Sequence, residues 1–142
     1  MVLGDTESKS VCSFWKGVEP HAEQFGSEAL WRMFCAHPQT KTYFTKFDIA
    51  KGSSDLNMHG KRVMDALTLA MGHLDDICHA LEKQSFRHAN VLMVEPTNFT
   101  LLIDCMHAVF GLHFGQKYTP YLHAVVDKFL CECASALMCH YR

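Results

Sequence analysis

The sequence predicts an all-α fold, and three observations support that prediction. Apolar residues recur at steps of three and four along nearly the whole chain, and no segment alternates as a half-buried strand does. Pro38, Pro96 and Pro120 each stand at the front of such a stretch, where a missing N–H costs a helix nothing. A chain of 142 residues, 49% of them hydrophobic, is long enough to bury a core. We therefore predict a single domain over residues 1–142 with about seven or eight helices.

Two apolar stripes indicate the first two helices. At helical spacing they are Val11, Trp15 and Val18, and then Phe25, Ala29, Met33 and Phe34. Pro38 ends the second stripe and occupies the first position of a new short helix. The stretch 48–57 that follows is polar and holds Gly52, Ser53 and Ser54, so we expect a loop there.

The longest helical stripe begins in the middle of the chain. Its members trace a single face: His59, Val63, Ala66, Leu67, Ala70, Leu74, Ile77 and Leu81. A shorter segment that ends near His88 follows it. Two further helices are indicated by the last two stripes, which are Phe99, Leu102, Met106, Val109 and His113, and then Leu122, Val126, Phe129, Cys133 and Leu137. Pro96 opens the first of these, whereas Thr119 caps the second and Pro120 begins it.

Composition excludes several classes of function. The net charge is only −2 and the pI is near 6.5, so no basic field attracts nucleic acid or anionic lipid. The most apolar window is interrupted by charged and histidine residues, so no continuous run of about twenty apolar residues could span a membrane. The first ten residues lack the apolar core of a secretory signal, which predicts a cytoplasmic protein.

The seven cysteines are interpreted mainly as free thiols in a reducing compartment. Their number is odd and no C-x-x-C pair occurs, so many of them are expected to be small core hydrophobes. Cys131 and Cys133 resemble a chelating pair. However, two steps along a helix rotate a side chain by about 200°, which points the two sulfurs apart and argues against a zinc site.

A titratable imidazole, His59, lies on an otherwise aliphatic stripe. His88 belongs to a different helix, so the two imidazoles could face each other across a pocket, one of them ligating haem iron. The carbonyl of Gln84, one turn before His88, is placed to accept the other ring N–H of such a ligand. The alternative is an ordinary core histidine with a hydrogen-bond partner, and in a chain with ten histidines the residues alone leave both interpretations open.

Several motifs, taken in order, carry a family resemblance. They are "HPQTKTYF", "HGKRVMDAL", "HLDD", His88, "VEPTNF", "TPYLHAVVDKFL" and the closing "YR". Their order and spacing, with the total length, resemble the globin family and within it the α-type chains of vertebrate haemoglobin. The resemblance runs from about Val2 to Arg142 without an evident gap. It implies a globin fold of seven to eight helices around one pocket that holds haem b.

The resemblance also implies roles for individual residues. His88 would be the proximal iron ligand, His59 would donate a hydrogen bond to bound O₂, and Val63 would limit the space beside O₂, CO or NO. Phe44 would pack on the porphyrin plane. The remaining pocket residues would be Tyr43, Phe47, Ala66, Leu67, Leu92, Val94, Asn98, Phe99, Leu102 and Leu137. Lys46 and Arg62 would stand at the rim beside the haem propionates. For the apolar positions, ordinary core packing is the alternative.

Three positions near the expected haem depart from the family pattern. Gln84 and Arg87 stand where leucine is usual, and Cys133 replaces an aliphatic residue. Arg87 could reach towards a propionate, or it could loosen the apolar wall and admit water, which favours oxidation of ferrous haem.

The resemblance further implies assembly with β-type chains in an α2β2 tetramer. The sliding contact would involve Gln39, Thr42, Tyr43, Glu95 and Asn98. The tail residues Tyr141 and Arg142 would meet Asp127 and Lys128 across chains. A second, tighter contact would use Arg32, Cys35, Asp104, Cys105, Tyr118 and His123.

The function that this resemblance implies is reversible O₂ transport in the cytoplasm of red blood cells, without enzymatic turnover. One alternative is an enzyme-like globin that uses the same haem for nitric-oxide dioxygenation or peroxide chemistry. A second alternative is a helical protein without cofactor whose thiols sense redox state.

Overall fold

The computed structural model describes residues 3–87 and 96–138. Within these ranges the chain consists of helices and connections, with no strand. The α-helices are α1 (Asp5–Val18), α2 (Ala22–Ala36), α3 (Ser54–Met71), α4 (Ile77–Ala80), α5 (Glu82–Phe86), α6 (Thr97–Phe114) and α7 (Pro120–Leu137). Shorter 3-10 helices cover Glu19–His21, Pro38–Phe44 and Gly115–Lys117. The predicted all-α fold is confirmed.

The first two helices form where their apolar stripes predicted them. Val11, Trp15 and Val18 of α1 are completely buried, and the stripe of α2 is buried as well. The backbone N–H of Gly4 donates to Glu7 Oε1 at 3.1 Å, which satisfies one donor at the start of α1. Pro38 opens a short helix as predicted, and this helix is of the 3-10 type.

The predicted loop at 48–57 is wrong over its last four residues, because α3 already begins at Ser54. Ser53 is the residue that starts the helix: its Oγ accepts a hydrogen bond from the backbone N–H of Leu56 at 3.1 Å. Asp55 lies in the first turn, where a carboxylate interacts favourably with the helix dipole. The polar composition that suggested a loop is therefore that of a capped helix start.

The prediction of one continuous helical face through Leu81 is also wrong. The helix ends at Met71, and a turn over residues 72–76 follows. Asp76 then starts α4 by accepting a hydrogen bond from the N–H of His79 at 3.2 Å. Ile77 and Leu81 are nevertheless buried, because the turn redirects them into the same core.

The last two helices form where their stripes predicted them, but His113, placed on the α6 stripe, is exposed. Pro96 precedes α6 as its N-cap residue rather than as its first helical residue. Thr119 Oγ1 accepts from the N–H of Leu122 at 3.1 Å, which confirms the predicted cap of α7. In α7, Cys133 is buried and Cys131 is exposed, so their sulfurs do point apart. No helix among the described residues is long and apolar enough to cross a membrane.

An aromatic core joins the terminal helices to the middle of the chain. The Trp15 ring lies 5.5 Å from that of Phe129 and 6.0 Å from that of Phe110, both edge-on. The Trp15 indole N–H donates to Thr68 Oγ1 at 2.9 Å. This hydrogen bond fixes α1 to α3 and satisfies a polar group inside the core.

Helices α2 and α3 meet backbone to backbone at a pair of glycines. A Cβ added to Gly26 would lie 2.9 Å from Gly60 Cα, and one added to Gly60 would lie 2.7 Å from Ser27 Cα. Real Cβ atoms do not approach backbone this closely, so both positions require glycine. The crossing fixes α3 immediately beside His59, although no pattern in the sequence indicates it.

Candidate functional site

The site is organised around His59, in the second turn of α3. Its ring is partly buried, and its Nε2 atom is buried without a hydrogen-bond partner among the described residues. Most buried polar atoms in proteins are paired, so an unpartnered one needs an explanation. A ligand that accepts a hydrogen bond at this position would supply the missing partner.

Two aromatic rings flank the imidazole. The Phe47 ring lies 4.3 Å from the His59 ring at an interplanar angle of 79°, and the Phe44 ring lies 5.5 Å away at 85°. Phe44 ends the 3-10 helix that Pro38 opens, and its ring also contacts Phe34 of α2 at 5.1 Å. The short helix and the following loop therefore restrict the orientation of His59.

Burial keeps the His59 imidazole neutral. Desolvation is the main cause that lowers its pKa from the usual value, and the positive charge of Arg62 lowers it further against the opposing carboxylate of Asp55. A neutral imidazole carries one N–H donor and one acceptor nitrogen. At neutral pH, His59 can therefore donate a hydrogen bond into the pocket without placing a positive charge there.

Several of the apolar side chains assigned to the haem pocket are only partly covered by protein. Five side chains pack against the core yet stay partly exposed: Phe44, Val63, Ala66, Leu102 and Leu137. Leu67 and Phe99, in contrast, are buried. Apolar surface left in water is unfavourable by roughly 25 cal/mol per Å². The half-covered set therefore fits a large apolar cofactor such as haem.

The remaining predicted pocket residues in the described ranges are partly or largely exposed. Asn98 Nδ2 donates to Tyr43 Oη at 3.1 Å, which links the 3-10 helix to the start of α6. Phe47 is 40% exposed, and Lys46 and Arg62 are exposed. The contact of these two cations with haem propionates stays a prediction.

The opposite side of the expected pocket is described up to Arg87. Ser85, in α5, is buried and donates from Oγ to the carbonyl of Leu137 at 2.9 Å, which fixes α5 against the end of α7. Arg87 follows with helical backbone angles and is exposed. His88, Leu92, Val94, Glu95, Tyr141 and Arg142 lie outside the described residues, so their assigned roles stay predictions.

The loop between Phe47 and α3 has internal bonds that the sequence did not indicate. The N–H of Asp48 donates to Asp55 Oδ2 at 3.0 Å, and Ser53 Oγ donates to the carbonyl of Asp48 at 2.6 Å. Lys51 Nζ lies 4.5 Å from the centre of the Trp31 ring, which fastens the loop to α2 by a cation–π contact. No local sequence pattern predicts the contact between Lys51 and Trp31, because these residues lie far apart in the chain.

The residues assigned to subunit contacts differ in their exposure. Cys35, Asp104 and His123 are exposed, Cys105 is buried, and Arg32 lies 3.6 Å from Glu28. Within the chain, Asp127 bonds to His107 and Lys128 bonds to Glu7 at 2.7 Å. Their predicted contacts with the tail of another chain are not tested by these bonds.

The chain is similar to a known protein family. The family model named Globin matches residues 27–137, from α2 to the end of α7, which is well over half of the chain. Globins in general bind haem and, through it, oxygen. The neutral histidine with an unpartnered nitrogen and the partly covered apolar side chains both fit such a cofactor. The match and the all-helical architecture together show that this chain belongs to the globin family.

Proposed function

We propose that this chain is an α-type haemoglobin subunit that transports O₂ by reversible binding to ferrous haem b. The observation that carries the proposal is the buried, unpartnered Nε2 of His59. Several apolar side chains that the family resemblance assigns to the same pocket are partly uncovered. The order and spacing of the sequence motifs support the α type in particular.

When bound, haem supplies the iron that coordinates O₂ reversibly. The chain supplies the surroundings. His59 offers an N–H to a ligand that carries partial negative charge, which stabilises that ligand by about 1 kcal/mol or more in a dry pocket. Phe44 and Phe47 hold the imidazole in place, and Val63, one turn further along α3, limits the space beside it. His88, outside the described residues, would be the iron ligand.

A carrier also needs partners, and we propose β-type chains in an α2β2 tetramer within red blood cells. The support is the resemblance of the 3-10 helix Pro38–Phe44 and of the closing "YR" to the parts of α-type chains that change contacts between quaternary states. A monomeric enzyme would have no use for either feature. We accordingly propose a carrier rather than an enzyme.

The deciding experiment is an absorption spectrum of the reduced, haem-loaded protein, with and without O₂ and CO. We expect a Soret band, a five-coordinate spectrum before gas is added and reversible changes on gas binding. Absence of a Soret band, or a six-coordinate spectrum before gas, would contradict the carrier proposal. Sustained consumption of nitric oxide at a high rate would favour the enzyme-like globin instead.

Replacement of the proposed donor tests the mechanism. In His59→Leu we expect O₂ to dissociate about tenfold faster, because a hydrogen bond of about 1.4 kcal/mol is lost, whereas CO binding should change less. His73→Leu, at an exposed position after α3, is the matched control. Equal O₂ dissociation rates in all three proteins would refute the role of His59. Sedimentation with and without a β-type chain then tests assembly.

A further inference from the structure

A hydrogen-bonded row of three side chains shares no residue with the proposed haem site. Tyr118 Oη is 2.7 Å from His107 Nδ1, and His107 Nε2 is 2.9 Å from Asp127 Oδ1. His107 belongs to α6, Asp127 to α7, and Tyr118 to the connection between them. Only 10% of the His107 side chain is exposed. The proposed oxygen-carrying function uses none of these bonds.

The protonation states of the row follow from its surroundings. Burial lowers the pKa of His107, although the hydrogen bond that its ring donates to Asp127 opposes this, and burial raises the pKa of Tyr118. We therefore assign a protonated phenol and a neutral imidazole beside the Asp127 carboxylate. In that arrangement, Tyr118 O–H donates to Nδ1, and Nε2–H donates to Asp127. Among the described residues, the other titratable groups that face His107 are Asp104 and His123, whose ring centre lies 4.1 Å from that of His107.

A phenol beside a neutral base has a specific chemical capacity. Loss of an electron makes a phenol strongly acidic, so oxidation is easier when a hydrogen-bonded base takes the proton in the same step. A base within 2.6–3.2 Å is close enough for such a transfer. Asp127 completes the row because a carboxylate stabilises the imidazolium that the transfer creates.

We propose that Tyr118, with His107 as its proton acceptor, is a one-electron donor site for oxidants. One electron leaves the phenol for the oxidant, and the O–H proton moves to His107 Nδ1. The products are a neutral tyrosyl radical, an imidazolium bonded to Asp127 and a singly reduced oxidant. A small one-electron reductant in solution reverses the step by returning the electron, and the proton then moves back to the phenol oxygen.

Aromatic contacts connect this site to the interior. The Tyr118 ring lies 5.3 Å from Phe14 and 5.8 Å from Phe110, and Phe110 lies 6.0 Å from Trp15. An oxidised Trp15 therefore has Tyr118 as an electron donor across one intervening ring. Electron transfer does not require contact with the oxidant, so the site can act even when a partner covers this face.

Tyr121 provides the matched control. It is 49% exposed, and its Oη lies 3.2 Å from Ser10 Oγ, a hydroxyl that is not a base at neutral pH. If exposure decides which tyrosine is oxidised, Tyr121 should be oxidised before the half-buried Tyr118. If the neighbouring base decides, the order is reversed.

The test uses the whole haem-loaded chain in its ferric form with cyanide bound. The cyanide keeps other ligands from the haem, and the electron paramagnetic resonance signal of this form is separate from that of a tyrosyl radical. A photogenerated ruthenium(III) trisbipyridine complex serves as the one-electron oxidant, and freeze-quenched electron paramagnetic resonance counts the radicals. We expect Tyr118→Phe to remove most of the early signal and Tyr121→Phe to leave it nearly unchanged. His107→Gln, which keeps an acceptor but not a base, should lower the radical yield at least about tenfold.

A structural role would not produce this pattern. Circular dichroism and thermal unfolding must show that His107→Gln remains folded, and the solvent deuterium isotope effect on radical formation should be present in the native chain and absent in this variant. The proposal is overturned if radical yield follows exposure, with Tyr121 ahead of Tyr118, or if folded His107→Gln gives the native yield. Neither result bears on O₂ binding, so this proposal and the proposed function fail separately.

Discussion

The crossing of α2 and α3 makes Gly60→Ala a sharp test of how the site is positioned. An added Cβ at Gly60 would lie 2.6 Å from the carbonyl carbon of Gly26 and 2.7 Å from Ser27 Cα. Carbon atoms pack favourably at about 3.5–4.0 Å, so the two helices would have to separate by roughly 1 Å. The opposing atoms belong to backbone, so no flexible side chain can move away.

Two terms of opposite sign determine the size of the effect. Overpacking a well-packed contact costs about 1–3 kcal/mol, and a clash between two backbones lies at the upper end of that range because neither can move away easily. Alanine in place of glycine inside a helix returns up to about 1 kcal/mol. Gly60→Ala should therefore lower the free energy of unfolding by about 2 kcal/mol. Gly111→Ala isolates the favourable term, because a Cβ at this position in α6 meets nothing within 4 Å.

Urea unfolding followed by circular dichroism measures both variants. We expect Gly111→Ala to be at least as stable as the native chain and the two variants to differ by about 3 kcal/mol. Gly60→Ala protein that remains folded should also show altered O₂ binding, because the displaced part of α3 carries His59. If Gly60→Ala unfolds within about 0.5 kcal/mol of the native chain, the close crossing is not a real constraint.

Three further predictions concern α7 and its contacts. Thr119→Ala should lower the free energy of unfolding by about 1 kcal/mol, because the N–H of Leu122 loses its cap. The control Ser13→Ala, at an exposed position of α1, should leave that free energy unchanged. Thermal unfolding of the two variants measures the difference. In the native chain a thiol reagent should modify exposed Cys35 rapidly and Cys133 only on unfolding, since burial raises the pKa of the Cys133 thiol; equal rates would contradict the packing. Because the pKa of folded His107 lies below its usual value near 6.5, the unfolded chain takes up this proton first, so stability should fall as the pH drops through about 6.5. His107→Gln should remove that part of the slope, and unchanged pH dependence would refute the assignment.

Burial of one helix face explains why much of the fold could be predicted from sequence. A helix that hides one side must place apolar residues at steps of three and four, and α1, α2, α6 and α7 show that spacing. The break after Met71 could not be found in this way. Ile77 and Leu81 continue the same spacing on the far side of the turn, so the pattern is identical whether the helix runs on or stops.

For the site, individual residues could be predicted from the sequence, but their contacts with one another could not. His59 was conspicuous because a polar residue interrupted an apolar stripe, and Phe44 stood in a recognisable motif. What the sequence could not supply was the relation between distant residues. Glycine has no side chain that could contribute to a hydrophobic pattern, so the contact of Gly26 with Gly60 could not be predicted from the sequence. The hydrogen-bonded row from Tyr118 to Asp127 forms only when α6 and α7 pack together, so it could not be predicted either.

The contact between Lys51 and Trp31 has an optical consequence. The chain has two tryptophans, and the other, Trp15, is completely buried in the core. Fluorescence emission from Trp15 therefore reports on the core, whereas emission from Trp31 reports on the position of the loop that leads from Phe47 to α3. A Trp15→Phe variant would leave Trp31 as the single tryptophan. Movement of the segment beside His59 could then be recorded in real time without any attached dye.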